Sequence, residues 1–265
     1  MCKDQNFDGL TDHFEKKIYG SMKGQIRLDL LQAELQHQIL NNSKSALNVL
    51  DLAGGLGQMS IWFAKKGHRV TYVDISAEMI ERARHHAKAN QVEHLIQWVQ
   101  APFQDFILNA DKNHSPRKYD LILAHALLEW LGEPLSGLDL ILQYAEKQAH
   151  ISLSFYNVQA IKLHNVLRGN FRKVNSGDFK GEPGGLTPTH PLNPNSIRAA
   201  IKKAPFDILS EMGLRSFYDY LPKPVKEKIS AEDILAMEQQ LAHQQPFIDM
   251  ARYIHLLLKP RLIEP

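Results

Sequence analysis

Asn48-Val49-Leu50-Asp51-Leu52-Ala53-Gly54-Gly55-Leu56-Gly57-Gln58 carries an apolar run into an acid, then into small residues, then into a helix-forming stretch. Three glycines and an alanine leave no bulky side chain between a strand end and the first helical turn, so a ligand can lie against the backbone there. The helix expected over 58–66 points its unpaired N–H groups into the same space. A tight packing turn is the bland alternative for the same residues, and glycine motifs by themselves do not exclude it.

From residue 46 onward, short apolar runs alternate with helical stretches, the pattern of βαβ units on a parallel sheet. Strands are expected over 47–52, 68–73, 95–99, 119–124 and 150–155, the second closing at Asp74 and the fourth delivering His125. Ser76 caps a helix carrying Met79, Ile80, Ala83 and Ala87, and another helix is expected over 134–147. Ahead of this core, Phe7, Leu10, Phe14 and Ile18 have helical spacing and Gly20 stops them. An amphipathic helix then covers about 22–40 and leaves Lys23 and Arg27 one turn apart. After the fifth strand, glycines and prolines crowd residues 169–195, which reads as a long loop or lid. A helix over 195–203, a strand over 206–220, a helix over 230–245 and a strand over 252–259 suggest an antiparallel hairpin on the sheet edge. We therefore expect one domain over 1–265. It comprises a helical cap (1–45), a cofactor-binding core (46–156), a lid or insertion (157–204) and a C-terminal hairpin with helices (205–265).

Composition narrows the function class. The 265 residues are 44% hydrophobic, enough for a core, and 31 Lys and Arg against 29 Asp and Glu give a net charge of +2. Any nucleic-acid contact must be a local patch. Cys2 is the sole cysteine, which excludes an internal disulfide and fits a reducing compartment. The first residues lack a signal pattern, and no apolar run approaches the roughly 20 residues of a membrane span. A cytoplasmic chain without membrane, metal or evident protein partner is the expectation. The 13 histidines are scattered without ligand spacing.

Combination identifies the cofactor. Asp74 lies 17 residues after Gly57, and a carboxylate there faces the glycine loop and can accept both hydroxyls of a ribose. A dinucleotide loop wants G-x-G-x-x-G, and Ser60 stands at the third glycine. Asp51, just ahead of the loop, would repel a pyrophosphate. It tolerates S-adenosylmethionine, which has no phosphate and presents a sulfonium and an ammonium.

The string Asp51-x-Ala53-x-Gly55-x-Gly57 with the distal Asp74 resembles the first motifs of class I methyltransferases. That resemblance implies a Rossmann-like α/β fold with a seven-stranded, mostly parallel sheet in order 3-2-1-4-5-7-6 and helices on both faces. More specific strings lie outside the core: Ile18-Tyr19-Gly20, His125-Ala126-Leu127-Leu128-Glu129-Trp130, Phe155-Tyr156-Asn157 and Arg252-Tyr253-Ile254-His255. These are similar to the bacterial tRNA 5-carboxymethoxyuridine methyltransferases over essentially the whole chain. The reaction so implied is methyl transfer from S-adenosylmethionine to the carboxylate of a carboxymethoxy group on a wobble uridine. A small carboxylic or phenolic acceptor, or a non-catalytic RNA-binding or partner-binding role, are the alternative readings.

The resemblance implies cofactor roles for Arg27 (methionine carboxylate), Ala53, Gly54 and Gly55 (backbone approach), Asp74 (ribose), Phe103 (adenine) and His125 (sulfonium pocket). A core phenylalanine and a helix-cap histidine are the structural alternatives for the last two. Residues 100–105 lack the acid that many class I enzymes use for the adenine amine, leaving backbone or Gln104 for that contact. The usual Pro-Gly-Gly turn before strand five is replaced by 146–149. A carboxylate is already ionised at neutral pH and needs no general base. Arg252, opening the last strand, is expected to hold the acceptor carboxylate, with Tyr19 or Tyr156 shaping the methyl path. For the tRNA anticodon loop we expect Arg168, Arg172 and Lys173, with Phe171 able to stack on a base; singly, each is also a plain solvated residue.

Overall fold

The computed structural model describes residues 4–16, 20–112, 119–145, 149–181 and 185–261. A single turn, α1 (Thr11–Phe14), precedes the long helix α2 (Met22–Gln38). The core then runs β1 (Asn48–Leu52), α3 (Gln58–Lys65), β2 (Arg69–Asp74), α4 (Ala77–Ala89), β3 (Ile96–Gln100), α5 (Phe103–Lys112), β4 (Leu121–His125), α6 (Pro134–Ala145) and β5 (His150–Tyr156). Three helices follow, α7 (Val158–Leu167), α8 (Phe171–Ser176) and α9 (Pro194–Lys203), and then β6 (Phe206–Leu214). The chain ends with α10 (Lys223–Lys226), α11 (Ala231–Leu241), α12 (Phe247–Met250) and β7 (Tyr253–Pro260).

The seven strands stand in the expected order, β3-β2-β1-β4-β5-β7-β6, parallel except for β7, which is antiparallel to both of its neighbours. Central strands are buried except at their end residues because helices cover both faces. Side chains alternate between two apolar clusters. Leu50, Leu52, Ile122, Ala124, Leu153 and Leu256 join one with α5, α6 and α9. Val49, Leu121, Leu123 and Leu257 join the other beneath α2, α3, α4 and α11. Capping side chains fix the helix starts: Ser76 accepts from the Met79 N–H, Asn157 from Gln159, and Ser230 from Asp233.

Four expectations change. The first helix is one turn long, because residues 4–9 form a strap rather than a helix. The Gln5 N–H donates to Trp130 O at 3.0 Å, Phe7 packs edge-on against Trp130 at 4.8 Å, and Asp8 accepts from the Ser76 hydroxyl at 2.6 Å. Helix α5 was not anticipated. The glycine-rich segment 169–195 is more ordered than expected, since α8 and the start of α9 fall within it. The strand over 206–220 stops at Leu214, where Arg215 takes φ 63° and a 3-10 turn follows at Tyr218–Tyr220. Cys2, Ile18, Tyr19 and the turn residues 146–148 lie outside the described residues.

Candidate functional site

The loop after β1 turns through left-handed backbone at Ala53 (φ 54°), Gly55 (φ 55°) and Gly57 (φ 74°) before α3 begins. Glycine relieves that strain at two of the three positions; Ala53 carries it. Gly54 has a packing reason, because a Cβ there would run into the Tyr72 ring. The Tyr72 hydroxyl donates to Gly55 O, so β2 pins the loop from below. Asp51 is buried and accepts from the Ser60 hydroxyl at 2.6 Å. Ser60 at the third-glycine position thus serves a carboxylate. Asp74 accepts from the Gly55 and Ser76 N–H groups, each at 2.9 Å. Burial raises the pKa of both acids. Asp51 reaches about 7, with a hydrogen bond to Ser60 opposing and the Asp74 charge adding to the rise.

These residues floor a cleft of about 1250 Å³, its open mouth included. Its walls bring together Arg27 from α2, Ala53, Gly54, Gly55, Asp74, Phe103 from the start of α5, and His125 from the end of β4, all seven residues expected to meet a cofactor. Phe103 is 5% exposed and belongs to the apolar core as well, so one ring serves both readings. Residues not anticipated by sequence are Asp4, Gln5 and Phe7 from the strap, and Tyr253, whose ring lies 5.7 Å from the Arg27 guanidinium. From the described residues of segment 169–195, Leu186 reaches the wall.

His125 Nε2 lies 2.7 Å from Ser152 Oγ, which lies 2.8 Å from His255 Nε2. One hydroxyl proton can be donated to only one of the two rings, so the other ring must donate its own N–H to Ser152; the two imidazoles are opposite tautomers. Burial and neighbouring positive charge keep both neutral, His125 far below the usual imidazole range and His255 at about 4. His125 is therefore a fixed neutral wall group.

The donor set fits S-adenosylmethionine. Two close carboxylates disfavour a pyrophosphate and suit a cationic ligand. Gln104, also on the wall, gives its amide N–H to Asp4 at 2.7 Å and leaves its buried Oε1 without a partner, an acceptor suited to an adenine amine.

Arg252 and Tyr156 do not line the cleft but stand behind Tyr253. The Tyr156 and Tyr253 rings are 5.1 Å apart, and Arg252 Nη1 donates to the Tyr156 hydroxyl at 3.1 Å. Arg252 is 8% exposed. Arg168, Arg172, Lys173 and Phe171 are exposed on the turn from α7 into α8, Phe171 by 60% and Leu167 beside it by 63%. Glu129 is fully buried and its pKa rises to about 8; burial dominates, and the Arg27 charge offsets only part of it. Among the described residues no group of three or more His, Cys, Asp or Glu could hold a metal ion, and no helix is long and apolar enough to cross a membrane.

Comparison with known proteins agrees with this geometry. Residues 49–150 match the family described as "Methyltransferase domain". The tRNA 5-carboxymethoxyuridine methyltransferases of Escherichia coli O157:H7 and of strain K12 are each 35% identical over 254 residues, covering 96% of this chain and 95% of theirs. A ubiquinone biosynthesis O-methyltransferase of Actinobacillus pleuropneumoniae is 33% identical over 111 residues, 42% of this chain and 44% of its own. Among solved structures, magnesium protoporphyrin IX methyltransferase from Synechocystis PCC 6803 with bound SAH superimposes with a TM-score of 0.59 at 14% identity, covering 97% of this chain and 96% of that one, which supports the fold. Related from end to end to the E. coli enzymes, the chain is an S-adenosylmethionine-dependent methyltransferase and belongs to the tRNA 5-carboxymethoxyuridine methyltransferase family.

Proposed function

We propose that this enzyme esterifies the carboxylate of 5-carboxymethoxyuridine at the tRNA wobble position, in the cytoplasm. The observation that carries the reading is the relation to the E. coli enzymes along 96% of the chain, lid and C-terminal hairpin included. Bound S-adenosylmethionine supplies an electrophilic methyl group. Asp74 takes its ribose, Phe103 and Gln104 its adenine, Arg27 its methionine carboxylate, and the backbone of Ala53, Gly54 and Gly55 its remaining length. The cleft needs no general base, in keeping with neutral His125, because the acceptor is an anion. Transfer to that anion cancels charge, which a closed cleft favours over water, and positioning supplies the rest. Arg252, oriented by Tyr156, holds the non-attacking carboxylate oxygen, with Tyr19 the second candidate for shaping the methyl path. Phe171, Arg168, Arg172 and Lys173 receive the anticodon loop.

Nucleoside mass spectrometry of tRNA from a deletion strain tests this. The free acid accumulates and the ester disappears; an unchanged ester level sinks the reading. In that case small carboxylic and phenolic acids are the next acceptors to assay.

A further inference from the structure

Asp219 is a buried acid that holds several cations together. Its side chain is 3% exposed and accepts from Arg215 Nε at 2.8 Å and Nη2 at 2.5 Å; Lys23 Nζ lies at 3.3 Å and Arg252 Nε at 3.5 Å. These cations hold its carboxyl down at about 2 against the opposing effect of burial. Lys226, at the end of α10, stands with Nζ 4.5 Å over the ring of Tyr218, the residue before Asp219, and Arg168, just past α7, lies one helical turn after His164, whose ring is 6.0 Å from that of Tyr220, the residue after Asp219; Arg168 acts electrostatically on both His164 and Lys226. Three cations from three parts of the chain thus face one carboxylate, and two more stand beside them. The second acid nearby, Glu238, is directed instead to the N–H groups of Ser216, Phe217 and Tyr218.

The excess charge is partly desolvated. Arg252 is 8% exposed and its Nε, without a hydrogen-bond partner, is buried. Burying cations with too few counter-charges is unfavourable and is relieved by an anion from outside. Tyr253 stands between this basin and the cofactor cleft, with the Arg27 guanidinium 5.7 Å and the Arg215 guanidinium 5.8 Å from its ring centre. An acceptor nucleotide whose reactive carboxylate reaches past Tyr253 therefore places its backbone over the basin. Exposed Leu167 and Phe171 beside Arg168 suit a splayed base next to that backbone.

We propose that the rim of this basin, formed by Lys23, Arg168 and Lys226, is a phosphate seat for the nucleotide backbone adjoining the methylated residue. Arg252 at its inner end remains available for the carboxylate, and Asp219 with Arg215 is the scaffold that spaces the cations. The identity of the phosphate rests on the tRNA reading above; the anion seat does not.

The test is the double variant Lys23→Met, Lys226→Met, at an exposed and a half-buried position, with thermal melting as the check of folding. An anticodon stem-loop RNA is titrated by fluorescence anisotropy over a range of salt. The seat predicts a Kd raised about tenfold and a log–log salt slope shallower by about 0.7, one single-strand phosphate contact. An unchanged Kd and slope overturns it. If the parent protein binds no stem-loop, the tRNA reading fails, and inorganic phosphate decides the seat by the NMR ring signal of His164, which lies beside Tyr220 and within the electrostatic reach of Arg168, Arg252 and Lys23. A saturable shift lost in the double variant upholds an anion seat; no shift in the parent overturns it.

Discussion

Arg252 and Glu129 are two buried ionisable side chains with unpartnered polar atoms, and their neighbours separate their roles. Arg252 lies among tyrosines and Asp219 beside an electropositive basin, the setting of a group that receives an anion. Charge-assisted hydrogen bonds contribute about 1.5–3 kcal/mol, so Arg252→Ala should lower kcat/KM on carboxymethoxyuridine tRNA by roughly 10- to 150-fold. Unchanged efficiency would remove the assignment. Glu129 has neither carboxylate oxygen in hydrogen-bonding geometry. With its folded-state pKa raised from 4.5 to about 8, its contribution to stability is present below about pH 4.5 and is lost as pH rises towards 8. The isosteric, uncharged Glu129→Gln should therefore match the parent near pH 4.5 and gain on it by up to about 1.4 kcal/mol per pH unit above that. Melting curves at pH 5 and pH 8 measure the gap; a gap that does not widen contradicts a protonated Glu129.

Strands and helices differ in how much of them the chain declares. β1, β2, β4 and β5 are apolar runs bounded by turn residues, and their places along the chain are legible to within a residue or two, while their order in the sheet follows from the family resemblance. On the cleft wall, Ala53, Gly54, Gly55 and Asp74 are marked locally by the glycine loop and a strand-end acid, whereas Arg27, inside α2, Phe103, at the start of α5, and His125 were indicated by the family resemblance alone. The strap was not: Asp4, Gln5 and Phe7 acquire a role through contacts with Gln104, Gly132 and Trp130, about a hundred residues or more away, and show no periodicity of their own. α5 is obscured too, since Phe103 reads in the sequence as a cofactor contact or a core residue and no capping residue marks it as a helix start. Ser152 is the simplest such case, a serine inside an apolar strand that gains meaning when β4 and β7 flank it and present His125 and His255. Ser152→Ala leaves two buried ring nitrogens without their partner, at a cost of about 1–3 kcal/mol. For a chain of this size that is a loss of roughly 2–12 °C in Tm, and differential scanning calorimetry reporting no loss would argue against the three-residue bridge.

At the scale of the whole molecule, a net charge of +2 gives little general attraction for a polyanion. Affinity for tRNA must then come from where cations stand, and the chain concentrates them beyond β5. Arg168, Arg172 and Lys173 share one exposed turn between α7 and α8, around an exposed aromatic ring. The cofactor half of the molecule instead buries acids, Asp51 and Asp74, in its cleft. This polarity divides the labour between a methyl donor that is cationic and a substrate that is anionic. Removing the three cations together, by Arg168→Ala, Arg172→Ala and Lys173→Ala, should weaken tRNA binding in proportion to the phosphates released. At about 0.7 per single-strand contact, the slope of log affinity against log salt should become shallower by about 2, with Kd for S-adenosylmethionine unchanged because the cleft is built from other elements. A slope that stays at the parental value would place the RNA on a different face, and a cofactor affinity that falls with it would mean that this turn supports the cleft rather than the substrate.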